Sequence, residues 1–128
     1  MNNSKERFSI VKRAESVANA SRGIWVCLKS THNAWIHIVV FILVLLAGWF
    51  FCITKIEWLF VIIVSGFVFT AEAFNTAIEI DMDLTSPEIH PYARDTKDVA
   101  AGAVLLSTIT AVAVGLIVFL PYIYKMFI

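Results

Sequence analysis

Charge is scarce in this sequence. Asp, Glu, Lys and Arg make up 16% of its 128 residues, against about 25% in an ordinary soluble domain. The apolar share is 59%, above the usual range of about 45–50%. It is gathered into blocks, and the mean hydropathy reaches +0.80. This excludes a soluble globular domain and points to a membrane protein. An excess of charge of one sign is also missing: the formal net charge is zero, which argues against a nucleic-acid partner. Only two cysteines occur, Cys27 and Cys52. They lack metal-ligand spacing and are expected to be small buried hydrophobes. No secretory signal is expected, because a polar, basic stretch precedes the first apolar run. No internal repeat is found.

What is present is a succession of helical patterns in one domain, residues 1–128. Residues 1–7 are polar and expected to fray. Over about 8–29, Ile10, Ala14, Val17, Ile24 and Leu28 recur on one helical face with Trp25 at its edge, while Lys12, Arg22 and Lys29 lie opposite. That is an amphipathic helix suited to a membrane interface, or, alternatively, one packed on the protein's own core. Three spans follow, at about 35–53, 58–80 and 99–122. Each is close to the roughly 20 residues that cross hydrocarbon as a helix. His37 interrupts the first span near its start, and residues 54–57 form a short loop. A polar connection with Pro87 and Pro91 covers 81–98, and Pro121 and Lys125 mark the exit of the third span. The expected architecture is therefore an all-α integral membrane protein with a surface helix and three transmembrane helices.

The segment before the first span carries Lys5, Arg7, Lys12, Arg13, Arg22 and Lys29, whereas the first loop carries only Lys55. Arg94 and Lys97 lie in the second loop and Lys125 in the tail. The positive-inside rule places the N-terminus and second loop in the cytoplasm. Trp35, Trp49, Trp58, Tyr122 and Tyr124 fall near span ends, as an aromatic belt requires.

The chemistry-bearing stretch is Ala71 to Glu79. Glu72, Asn75 and Glu79 are spaced i, i+3, i+7, and on a helix they point the same way within about 60°. Asp83 continues the stripe if the helix extends. A carboxylate at the centre of a span costs about 2.5–3.5 kcal/mol on insertion scales. A polar stripe can serve only to join helices, and Asn75 and Thr76 alone would fit that. Two glutamates flanking an asparagine favour a functional site. Glu79 lies near the cytoplasmic end and Glu72 about 10 Å deeper, at 1.5 Å per residue. The pair thus bridges the interface where a lipid hydroxyl could meet a soluble cosubstrate. The loop adds Glu88, His90, Arg94, Asp95, Lys97 and Asp98, most of which read as solvated. Lys97 and Asp98 precede the small residues Ala100 to Ala103, which favour close helix packing. This packing is expected to bring them near Glu79, where the lysine would bind phosphate.

The run Glu72 to Glu79, then Asp83, then Pro87 to Pro91, then Lys97 to Leu105, resembles the signature of the prokaryotic diacylglycerol kinase family, and within it the undecaprenol kinase branch. The resemblance covers nearly the whole chain. It implies a homotrimer with sites between subunits, in the bacterial cytoplasmic membrane, and transfer of the ATP γ-phosphate to a lipid hydroxyl with Mg²⁺ as cofactor. By resemblance Glu72 is the general base, Asn75 belongs to the catalytic helix, and Glu79 binds the metal. Lys12, Glu88, His90, Lys97 and Asp98 match nucleotide-contacting positions. One departure stands out: the family's second metal-binding glutamate corresponds to Thr31. Trp25 and Trp35 also replace residues often basic in the diacylglycerol kinase branch.

These observations lead to an ATP-dependent lipid kinase acting on undecaprenol or diacylglycerol. A non-catalytic homologue that binds a lipid or protein partner is the alternative, with Thr31 its main support. A proton-relaying transporter subunit fits less well, because the second span is free of proline and transporters favour broken helices and repeats.

Overall fold

The computed structural model describes residues 9–88 and 90–128, all helix and short connections. The expectation for residues 1–7, and the start of the first helix at Phe8, lie outside the described residues. Four helices follow in order: α1 Ile10–Ser30, α2 His32–Phe50, α3 Lys55–Thr85 and α4 Pro91–Met126. Of these, α2, α3 and α4 are long and apolar enough to cross a membrane.

Local chemistry explains each boundary. Ser9 caps α1 by accepting from the Lys12 backbone N–H. Thr31 stands alone between α1 and α2 in an extended conformation, with φ −128° and ψ 133°, and its hydroxyl accepts from the Ala34 N–H. A single β-region residue with a hydroxyl is a sufficient N-cap, and it turns the chain between helices. The end of α2 closes with the Cys52 N–H on the Trp49 carbonyl and the Ile53 N–H on the Gly48 carbonyl. This is a Schellman closure, in which one residue must adopt the left-handed conformation. Here that residue is Cys52, at φ 50°. Cys27 is half-buried but Cys52 is exposed, so the expected burial fails for Cys52 because its position belongs to the turn. Glu57 and Thr54 form a capping box that starts α3, three residues before the expected Trp58.

The long polar connection expected over 81–98 is mostly helical. α3 runs on to Thr85, where the restriction imposed by Pro87 on Ser86 ends it. Pro91 then sits in the first turn of α4, the place where its missing N–H costs nothing. Helix α4 also passes through Pro121 to Met126, so Pro121 does not end it. At 1.5 Å per residue, the 31 residues of α3 and 36 of α4 run to about 46 and 54 Å, beyond the roughly 30 Å of hydrocarbon.

Helix α3 is the centre of the molecule. It packs along most of α4, and both α1 and α2 rest on it. At one end Ile53, Val61 and Val118 form a small core with Phe51, Trp58 and Tyr122 around it. Gly48 is required there: a Cβ would lie 2.7 Å from the Trp58 ring. The Tyr122 hydroxyl donates to Glu57 Oε2 at 2.8 Å and ties α4 to the start of α3. Most large apolar side chains of the three spans remain exposed, Trp49, Phe67 and Ile117 among them. Such a surface is stable only against lipid or other protein. No residue of α1 is buried.

Candidate active site

The stripe expected on α3 is buried at Glu72 and Asn75 and half-buried at Glu79. Glu72 is 1% exposed and is the one large side chain fully enclosed among the described residues. Asn75 and Thr76 are also buried. A carboxylate leaves water at this cost only where groups of the protein surround it, and Glu72 is met from α2. The Thr31 hydroxyl donates to Glu72 Oε1 at 2.9 Å. His37 Nε2 lies 4.0 Å from Oε2, an oxygen without a hydrogen-bond partner. One turn on, Asn75 Nδ2 donates to Glu79 Oε1 at 2.9 Å, while Asn75 Oδ1 is buried and unpartnered. Thr76 points to the other side of the helix. Its hydroxyl returns to the Glu72 carbonyl and lies 3.4 Å from Cys27 Sγ of α1.

Glu72, Asn75 and Glu79 open together into a cavity of about 310 Å³ between α2, α3 and α4. An apolar cavity of about 180 Å³ adjoins it, and His37 and Thr108 line both. A hydroxyl on a long apolar chain therefore finds an apolar channel and a buried carboxylate side by side.

The remaining predicted residues, apart from Lys12 on α1, lie in the end of α3, the start of α4 and the connection between them. The helical stripe does extend to Asp83, whose carboxylate accepts from Lys97 Nζ, and the Glu79 charge also acts on that lysine. Lys97 is thus tied to the α3 stripe through Asp83. Asp98 is not: it is exposed and faces Arg94 at 3.7 Å, one turn away on the same helix. His90 caps α4, with Nδ1 accepting from the Tyr92 N–H at 3.3 Å. Lys12, Glu88 and His90 are exposed and lie off the cavity that holds Glu72. Thr31, the position of a metal-binding glutamate by resemblance, is turned toward Glu72. His37 was legible only as a polar interruption of an apolar span. Ionisable residues in such spans point to function, but nothing in the sequence pairs it with Glu72.

Among the described residues no three His, Cys, Asp or Glu side chains gather as a complete metal site. Among the residues that line the cavity, Glu79 and Asn75 offer oxygen donors, and Asn75 Oδ1 is buried without a partner. That set fits Mg²⁺, which takes one or two carboxylates and completes its shell with water and substrate phosphates.

The sequence profile of the prokaryotic diacylglycerol kinase family matches residues 18–119. An undecaprenol kinase of Bacillus subtilis is 34% identical over 121 residues, covering 94% of this chain and 98% of that protein. A diacylglycerol kinase of Synechocystis sp. is 35% identical over 100 residues, covering 77% of this chain and 57% of that protein. No solved structure matches significantly.

Proposed function

This chain belongs to the prokaryotic diacylglycerol kinase family, and from that premise we propose that it phosphorylates undecaprenol or a related prenol, with Glu72 as the general base. It is a membrane lipid kinase with ATP as phosphate donor. The prenol reading rests on the relative that matches almost end to end, which is an undecaprenol kinase. Diacylglycerol is the second candidate acceptor. The non-catalytic alternative is not favoured, since both relatives carry kinase names.

The observation that carries the role of Glu72 is its enclosure beside an apolar channel, with Oε2 unpartnered. The lipid hydroxyl gives its proton to Glu72 as its oxygen attacks the γ-phosphorus, and ADP leaves. Phosphoryl transfer depends on positioning and on stabilising charge. Glu79 and Asn75 Oδ1 would hold Mg²⁺ against the phosphates. When bound, Mg²⁺ neutralises charge on the phosphate oxygens. Lys97 supplies a further cation, on the cytoplasmic side of Glu79. Asp98, Glu88, His90 and Lys12 act toward the nucleotide in this reading.

Lys12, Glu88 and His90 lie off the cavity, and the apolar faces of the spans are uncovered. Both facts support a homotrimer in which neighbouring subunits complete each site. The basic N-terminal segment supports a cytoplasmic N-terminus, with α1 lying on the inner face of the cytoplasmic membrane.

The test is phosphate transfer from labelled ATP to undecaprenol, shorter prenols and diacylglycerol, by detergent-purified protein with Mg²⁺ or with chelator. Mg²⁺-dependent labelling of a prenol above diacylglycerol is expected. Labelling of diacylglycerol alone would overturn the acceptor, and no labelling of any lipid by a well-folded oligomer would overturn the activity.

A further inference from the structure

We infer that His37 is a positioning residue for Glu72, forming with Thr31 a two-point clamp that leaves one lone pair of Oε2 free for the lipid hydroxyl. The inference rests on the reading of Glu72 as base.

A carboxylate has two oxygens and about four acceptor sites. Oε1 of Glu72 is held by the Thr31 hydroxyl at 2.9 Å. Oε2 is buried without a partner, and His37 Nε2 stands 4.0 Å from it. That distance exceeds a hydrogen bond, but an approach of about 1 Å would make one. Thr31 is the N-cap of α2 and His37 lies in its second turn, so one end of one helix sets both holds. Fixed at both oxygens, the carboxylate cannot rotate about its terminal bond, which is otherwise soft.

The location of His37 supports the assignment. Its ring is largely buried and lines both the apolar and the polar cavity. It thus stands at the seam where a hydroxyl arriving on an apolar chain must meet Glu72. A neutral imidazole with its proton on Nε2 donates to Oε2 and keeps that proton. The hydroxyl proton passes to the remaining lone pair of Oε2. His37 orients the base and takes no proton from the substrate.

The full-length protein in detergent decides this through kcat and KM for ATP and for undecaprenol. Wild type, His37→Leu and His37→Gln are compared, each with oligomer size checked. His37→Met, also without a donor, replaces His37→Leu if that variant does not assemble. Misplacing a reacting group by about 1 Å can cost about 100-fold. His37→Leu is therefore expected to lower kcat by roughly 10- to 100-fold, with KM for ATP little changed. His37→Gln, which keeps an N–H donor, is expected to recover most of the loss. Unchanged kcat in His37→Leu would overturn the inference. So would a His37→Gln variant as slow as His37→Leu, which would mean that the imidazole itself is needed. Wild-type protein that labels no lipid would instead overturn the kinase reading on which the clamp rests.

Discussion

The Thr31 hydroxyl donates to Glu72 Oε1 while its oxygen accepts from the Ala34 N–H. One side chain thus both starts α2 and grips the buried carboxylate of α3. A glutamate here would bring a second negative charge against Glu72 unless a cation lay between them. Threonine needs no such cation, and its hydroxyl satisfies Oε1 of Glu72 directly.

This double role separates two substitutions. Thr31→Ser keeps a hydroxyl and should keep most activity. Thr31→Val removes the cap, worth about 0.5–2 kcal/mol, and the hydrogen bond to a charged group, worth about 1.5–3 kcal/mol. It should lower both the thermal midpoint in detergent and the transfer rate. Thr31→Val with wild-type turnover would show that Glu72 does not depend on this contact.

Glu72→Gln preserves shape and removes the proton acceptor. General-base catalysis contributes about 10²–10⁴-fold, so transfer should fall by at least about 100-fold. Oligomer size and ATP binding should survive, since Glu79, Asn75 and Lys97 are untouched. Near-normal turnover in this variant would remove Glu72 from the role of base.

The three spans were legible because hydropathy and length alone specify a membrane helix. The stripe of Glu72, Asn75 and Glu79 was legible because helical spacing is fixed. The ends of the helices were less so. Hydropathy falls at Asp81, whereas α3 runs on to Thr85 and is capped by Ser86, the residue before Pro87; backbone restriction, not polarity, terminates a helix outside hydrocarbon. Asp98 was expected beside Glu79 from its neighbour Lys97. Adjacent helical residues point about 100° apart, and Asp98 faces Arg94 instead. The contacts of Thr31 and His37 with Glu72 cross between helices some 40 positions apart, and no local pattern encodes them.

Lys97 is held by Asp83, and this pair should respond unequally to mutation. Lys97→Met removes a cation from the phosphates and should raise KM for ATP by about 10-fold or more, a loss of about 1.4 kcal/mol in binding. Asp83→Asn leaves the lysine charged and frees it from its carboxylate. An exposed ion pair of this kind contributes about 0–1 kcal/mol, so Asp83→Asn should have the smaller effect. Kinetics of both variants and of the double variant would show it. Equal losses in the two single variants would mean that the ion pair itself, rather than the lysine, serves the site.

The two cysteines report orientation. With the N-terminus in the cytoplasm, α1 and its Cys27 lie inside, and Cys52, in the turn between α2 and α3, lies outside. Cys52 is exposed, whereas Cys27 is half-buried beside Thr76. A membrane-impermeant maleimide applied to intact cells should therefore label the protein, and Cys52→Ser should abolish that labelling. Cys27 should react only after the membrane is opened, and then slowly. Labelling of intact cells that persists in Cys52→Ser and disappears in Cys27→Ser would reverse the topology. It would also place Glu79 and Lys97 on the outer face, away from cytoplasmic ATP, and the proposed kinase site could not then work. Orientation and nucleotide access thus stand or fall on the same two thiols.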